Sequence, residues 1–125
     1  MIIGLGIDVV DVSRIQSLMD KYGNRFTERV FSKDEINYCM ERYDSAACFA
    51  GRFAVKEAAF KALSAGRDSG IPFRDISVTM SGAAPQLHLS GKAHELAARL
   101  GISMQHVSIS HDKGCAVAVV VLESK

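Results

Sequence analysis

Residues 46–65, AACFAGRFAVKEAAFKALSA, decide how the rest of the chain must be arranged. Alanine dominates and proline is absent, so the stretch reads as one helix. Asp44 and Ser45 precede it as N-caps, and Gly66 follows as a stop. Phe49, Phe53 and Phe60 fall in one narrow stripe, and the opposite face carries Val55, Ala58, Ala59 and Ala62. A helix that is apolar nearly all round is a buried helix. Its charges are therefore out of place. Glu57 lies about 40° of helical rotation from Phe53, and Lys61 follows it at i+4. A carboxylate next to apolar packing must be compensated. Taken alone, the helix favours an ordinary Glu57–Lys61 pair at its edge, with the lysine reaching outward.

Upstream, Met1 to Val12 (MIIGLGIDVVDV) reads as a central strand, because its apolar run is short and β-branched. Alternation puts Ile3, Leu5, Ile7 and Val9 on one face, and Ile2, Gly4, Gly6, Asp8 and Val10 on the other. Asp8 thus points to a face that two glycines leave nearly bare, and strand glycines often mark close approach of a ligand or backbone. Asp11 suits the role of capping the next helix better than Asp8 does. That helix, Ser13 to Tyr22, buries Ile15, Leu18, Met19 and Tyr22 and ends at Gly23. Arg14 and Lys21 lie on its outer face, and Arg25 and Arg29 follow in a turn-rich segment. Four cations with few acids nearby are a weak partner signal.

Downstream of Arg29, Ser32-Lys33-Asp34-Glu35 fits a capping box opening a helix to about Arg42. Beyond the long helix come a Gly- and Asp-rich loop to Pro72 and two strands, Ile76 to Met80 and Gln86 to Leu89, joined as a hairpin. A helix from Ser90 or Gly91 to Leu100 follows, then strands Gln105 to Ser110 and Cys115 to Leu122 around a turn at His111 to Gly114. The order β, several helices, ββ, α, ββ argues an α+β fold with helices packed on a mostly antiparallel sheet.

The 125 residues suit one domain, 1–125, around one core. A net charge of +1 gives no support to nucleic-acid binding, and no apolar run approaches the roughly 20 residues of a membrane helix. No basic region precedes the first apolar run, which argues against a signal peptide. Cys39, Cys48 and Cys115 are far apart and odd in number, which suggests reduced thiols and a cytoplasmic protein. The four histidines show no zinc-ligand spacing.

Asp8 and Glu57 stand out as two carboxylates in apolar settings, with Lys61 as the one neighbouring cation in sequence. A shared divalent cation is one economical solution, and Mg²⁺ is commonly held by one or two carboxylates with waters and phosphates completing its shell. Lys61, Arg52, Lys56 or His111 could then reach a phosphate.

At these residues the chain resembles a known family. Gly6-Ile7-Asp8-Val9-Val10, and Phe53-Ala54-Val55-Lys56-Glu57-Ala58-Ala59-Phe60-Lys61, look like the two signature motifs of the 4′-phosphopantetheinyl transferases. Val107-Ser108-Ile109-Ser110-His111 is similar to a third family segment. Length and motif order resemble the short bacterial type over essentially the whole chain.

The resemblance implies transfer of 4′-phosphopantetheine from coenzyme A to a serine of apo-acyl carrier protein, releasing adenosine 3′,5′-bisphosphate, in support of fatty acid biosynthesis. It implies Asp8 and Glu57 as Mg²⁺ ligands, Glu57 and Lys61 at the reacting centre, and Arg52, Lys56, Lys61, Ser110 and His111 on coenzyme A. The serine proton would go to Glu57 or to a metal-bound water. Because carrier proteins of this class are acidic, Arg14, Lys21, Arg25 and Arg29 form the expected docking ridge, with Met19 or Phe26 as an apolar contact. The resemblance also implies a homotrimer with sites at subunit boundaries. Two rivals stand beside it. One is a non-catalytic trimeric or carrier-binding scaffold, in which Glu57–Lys61 is a structural pair. The other is a different Mg²⁺-nucleotide hydrolase, against which the absence of G-x-x-x-x-G-K-[ST] counts.

Overall fold

The computed structural model describes residues 1–125, the side chain of Arg67 excepted. The elements in chain order are β1 (Ile2–Asp11), α1 (Val12–Tyr22), α2 (Asn24–Val30), α3 (Lys33–Met40), α4 (Ser45–Ala62), β2 (Ile76–Ser81), β3 (Ala84–Leu89), α5 (Gly91–Leu100), β4 (Met104–Asp112) and β5 (Cys115–Glu123), with a short 3₁₀ turn, Phe73–Asp75, ahead of β2. The strands form an antiparallel sheet in the order β1-β5-β4 and an antiparallel pair β2-β3. The fold is α+β.

The long central helix is α4, and it is buried along nearly its whole length. Asp44 Oδ1 accepts from the Ala47 backbone N–H at 3.0 Å, as an N-cap should. The helix stops at Ala62 rather than at Gly66, because Ser64 already takes a left-handed conformation (φ 54°). Strand β1 crosses directly beneath α4. A Cβ placed on Gly6 would lie 1.8 Å from the Ala58 carbonyl oxygen, and one on Gly4 would lie 1.9 Å from that of Ala62. The glycines are thus the bed of the helix, and the close approach is by backbone.

The capping box is formed: Ser32 Oγ accepts from Glu35 N at 3.2 Å, and Glu35 Oε1 accepts from Ser32 N at 2.9 Å. Arg25 and Arg29 sit on helix α2, where a turn-rich segment was expected; it is seven residues long and lacks a side-chain cap, so no local signal announces it. Tyr22 is exposed rather than in the buried stripe of α1. His111 lies within strand β4, in register with Ala116, and the tight turn is Lys113-Gly114, both at positive φ. The expectation of three reduced thiols is corrected for two: Cys39 and Cys48, Cα atoms 5.4 Å apart, are joined by a disulfide, and Cys115 is free. The cysteine argument for a reducing compartment falls with them. No helix of the described residues is long and apolar enough to cross a membrane.

The other face of the three-stranded sheet is bare. Leu5, Ile7 and Val9 are 64%, 61% and 62% exposed, and in register beside them stand Val121, Val119 and Val117 of β5, only half-buried. Six aliphatic side chains form one contiguous patch.

Candidate active site

Helix α4 distributes its charges to three places. Lys61 lies near the C-terminal end, and its ammonium donates to Asp8 Oδ1 at 3.2 Å and to the Ile7 carbonyl at 2.8 Å. Asp8 is largely covered while Lys61 is about half-exposed. Glu57 lies one turn before Lys61 on the same helical face, so the two carboxylates of the sequence reading flank one lysine. Glu57 is half-buried and lines a cavity of about 640 Å³ with Arg14, Leu18, Tyr22, Arg25, Phe26, Arg29, Phe53 and Phe73.

This cavity gathers most of the expected basic ridge. Arg14, Arg25 and Arg29 are exposed and rim it, and the Arg14 guanidinium lies 5.6 Å from the centre of the Phe53 ring. Phe26, the apolar residue expected beside the ridge, lines the cavity with them. Met19 packs on the core and does not line the cavity, where Leu18 stands instead. Lys21 is also outside it, with its ammonium 5.3 Å from the Tyr22 ring. Leu18 and Tyr22 read in the sequence only as buried packing of α1, and Phe73 escapes sequence reasoning because it belongs to a turn whose packing on α4 is non-local.

A second, smaller pocket of about 260 Å³ lies on another side of α4, lined by Tyr38, Arg42, Asp44, Ala47, Cys48, Arg52 and His111. Arg52 is 6% exposed; its guanidinium lies 4.6 Å from the Tyr38 ring, and its Nε is a buried atom with no hydrogen-bond partner. Burial pulls its pKa below the ordinary arginine value, with Tyr38 and Glu35 opposing. His111 Nε2 meets the Ala47 carbonyl at 2.8 Å, and its ring packs over Gly51. Ser110 is not brought here. Strand alternation turns it to the outer face, in register with Val117 and Val9, so within one chain it stands away from His111.

Lys56 corrects the sequence reading most sharply. It is 0% exposed and cannot contact a ligand in either pocket. Its ammonium donates to Glu35 Oε1 at 2.8 Å, to the Phe73 carbonyl at 3.1 Å, and to the Ile76 carbonyl. Burial draws its pKa below the ordinary lysine value, and the Glu35 charge and hydrogen bond oppose that shift.

The donor set suits one kind of metal. No group of three or more His, Cys, Asp or Glu among the described residues could hold an ion. Two carboxylates, Asp8 and Glu57, beside a lysine leave most of a coordination shell to water and phosphate oxygens. Hard oxygen donors in that number fit Mg²⁺, which keeps several waters and binds through one or two carboxylates. The arrangement suits chemistry in which phosphate charge is neutralised.

Known proteins resemble the chain over nearly its whole length. The family model of the 4′-phosphopantetheinyl transferase superfamily matches residues 4–120. A holo-(acyl-carrier-protein) synthase of Anaeromyxobacter dehalogenans (strain 2CP-1 / ATCC BAA-258) is 47% identical over 126 residues, covering 98% of this chain and 97% of that protein. The Helicobacter pylori holo-(acyl-carrier-protein) synthase, solved in complex with coenzyme A, superposes with a TM-score of 0.84 at 38% identity, covering 95% of this chain and 99% of that one. The Neisseria meningitidis enzyme of the same name superposes with a TM-score of 0.90 at 30% identity, over 99% of this chain and 100% of that one.

Proposed function

The chain belongs to the 4′-phosphopantetheinyl transferase superfamily, and from that premise we propose that, as one domain over residues 1–125, it moves 4′-phosphopantetheine from coenzyme A to a serine of apo-acyl carrier protein. The serine oxygen forms a bond to the phosphorus that carries pantetheine; the bond to the other phosphate breaks, and adenosine 3′,5′-bisphosphate leaves. The product, holo-acyl carrier protein, serves fatty acid biosynthesis. The observation that carries this reading is the Asp8–Lys61 pair, set one helical turn from Glu57, which lines a cavity rimmed by arginines.

Phosphoryl transfer asks a protein for position and charge neutralisation more than for covalent chemistry. Asp8 and Glu57 would hold Mg²⁺, which supplies Lewis-acid stabilisation of the phosphate charge when bound. Lys61, kept in place by Asp8 and the Ile7 carbonyl, lends its ammonium to the phosphate oxygens. The serine proton goes to Glu57, the carboxylate of the cavity, or to a water beside it. Arg52 and His111 hold the nucleotide end of coenzyme A, a role supported by the unpartnered Nε of Arg52, which a phosphate oxygen would satisfy. Arg14, Arg25 and Arg29 receive the acidic carrier protein, with Phe26 beneath, and Lys21 extends the ridge along α1.

The working form is a homotrimer. The support is the aliphatic outer face of the sheet, a contiguous exposed patch of the kind that marks an interaction surface. A neighbouring subunit on that face would also give Ser110 a place at a subunit boundary. We place the enzyme in the cytoplasm on the family resemblance alone.

Mass spectrometry of apo-acyl carrier protein incubated with coenzyme A, Mg²⁺ and this protein tests the reading. A carrier protein heavier by one phosphopantetheine, and unchanged when Mg²⁺ is chelated, is the expected result. No mass gain on a verified apo-carrier would overturn it.

A further inference from the structure

Lys56 and Glu35 form a closed, fully buried network with no counterpart in the proposed chemistry. Glu35 is 1% exposed. Its Oε1 accepts from Ser32 N at 2.9 Å and from Lys56 Nζ at 2.8 Å, and its Oε2 accepts from Val78 N at 3.0 Å. An ammonium has three donors, and Lys56 places one each on Glu35, the Phe73 carbonyl and the Ile76 carbonyl. Every polar capacity of the lysine is used, and none faces solvent.

Apolar side chains of similar volume hold packed elements together as well as a buried ion pair, or better. What the lysine adds is direction. Two of its three acceptors are the carbonyls that bracket the 3₁₀ turn Phe73–Asp75. The turn is therefore pinned at both ends to the one turn of α4 that carries Glu57. Lys56 and Glu57 are adjacent, so they leave the helix about 100° apart. Lys56 points in and grips the backbone of Phe73, while Glu57 points into the cavity that the Phe73 ring helps to wall.

The ring itself is the next link. Phe73 stacks on Phe53 with centroids 5.7 Å apart and an interplanar angle of 18°, and meets Phe60 edge-on at 5.3 Å. The Arg14 guanidinium lies 5.6 Å from the centre of Phe53. One continuous wall thus runs from the Phe73 turn through Phe53 to an arginine of the docking ridge, with Glu57 beside it.

We propose that Lys56 is a positioning residue for the transfer reaction: by tying the Phe73 turn to α4, it sets the wall against which the serine and the pantetheine arm meet Glu57. This rests on the transferase reading above. The lysine does not touch substrate; it acts through Phe73. The Arg52–His111 pocket is on another side of the helix and is not part of this wall.

The test uses the full chain with coenzyme A and apo-acyl carrier protein, and the wild-type protein is assayed first. If it does not transfer, the transferase reading fails and the present inference is not the cause. With an active wild type, Lys56→Met lowers kcat by about a hundredfold, the scale set by misplacing a reacting group by an ångström. The affinity for coenzyme A alone, measured by calorimetry, stays within about twofold, the scatter of independent sites. Because Lys56→Met leaves Glu35 buried and unpaired, the paired variant Glu35→Gln with Lys56→Met is made as well. It folds with a melting midpoint closer to wild type and keeps the loss in kcat. Phe73→Ala supplies the cycle: adding Lys56→Met to it lowers kcat by less than a further twofold or so, since the residue through which the lysine acts is gone. A folded Glu35→Gln, Lys56→Met variant with wild-type kcat would make the network purely structural. Losses from Lys56→Met and Phe73→Ala that simply multiply would equally overturn the proposal.

Discussion

Adding one methyl group at Gly6 tests the seat of the whole site. The Ala58 carbonyl oxygen would lie 1.8 Å from the new Cβ, where ordinary contact begins at 3.4 Å, so β1 and α4 must part by about 1.6 Å. The obstacle is backbone, also at the Ala58 carbonyl carbon (2.8 Å) and the Ala62 nitrogen (2.9 Å), so no side chain can rotate aside. Overpacking commonly costs about 1–3 kcal/mol, and this case belongs at the upper end or beyond it. For a chain of this length, about 3 kcal/mol lowers the melting temperature by about 10 °C. The same displacement stretches the 3.2 Å contact between Asp8 and Lys61, and a misplacement of that size lowers turnover by about a hundredfold. Since Gly6 has no side chain to lose, neither effect can come from a deleted contact. Thermal unfolding and steady-state transfer on Gly6→Ala provide the measurement. Wild-type values for both would refute the idea that α4 rests on the bare backbone of β1.

Three further outcomes follow from the site. Asp8→Ala and Glu57→Ala each abolish transfer at low Mg²⁺ while retaining the fold; near-normal turnover of either variant there would dissolve the shared-metal reading. Lys61→Ala lowers kcat by about 10²–10³, in line with loss of a donor aimed at developing charge, whereas His111→Ala mainly raises the Michaelis constant for coenzyme A, by about tenfold at the energy of a single hydrogen bond. Equal effects of the two variants on both parameters would contradict that division. Arg14→Glu and Arg25→Glu weaken the carrier-protein interaction and flatten its salt dependence, with coenzyme A binding unchanged, because rim charges act through screened attraction over about 8 Å; carrier kinetics like the wild type's at low salt would show that the ridge is an ordinary solvated surface.

What was legible in the sequence was what is decided locally. Asp44 caps α4 and Ser32 with Glu35 closes a capping box because these bonds span three residues. The burial of α4 was legible because an all-round apolar surface leaves a helix no face for water. The pairing of Lys61 with Asp8 spans 53 residues, and that of Lys56 with Glu35 spans 21, so neither shows in spacing. Lys56 was misread for that reason: beside Glu57 in a signature motif it looks like another phosphate ligand, and only the fold shows it pointing inward. The resemblance implied Ser110 and His111 together at coenzyme A, but within one chain the pleat sends the two side chains to opposite faces, and no sequence pattern shows what meets the outer one. The glycines of β1 announced a close approach but not its partner.

The small residues of α4 are what make its charges useful. Gly51, Ala54, Ala58 and Ala62 recur along one side of the helix, and this side meets the sheet: Gly51 under His111 and Ile109, Ala58 over Gly6, Ala62 over Gly4. With almost nothing between helix and strand, the two backbones come close enough for a side chain as short as Asp8 to reach Lys61. A leucine at position 58 would lift α4, and Asp8 would then lie beneath a layer of hydrocarbon, too far from the lysine to pair with it. Successive turns then present the remaining faces in order. Arg52 and Lys56 lie four residues apart and turn toward α3, where Tyr38 and Glu35 meet them. Phe53, Glu57 and Lys61 follow at the same interval along the adjoining face, toward Phe73 and Asp8. The weak segregation of polar and apolar residues, which makes α4 look wrong for a soluble helix, is therefore the pattern expected of a helix with no solvent face. Each side is specified by a different neighbour, and the site forms where two of those sides adjoin.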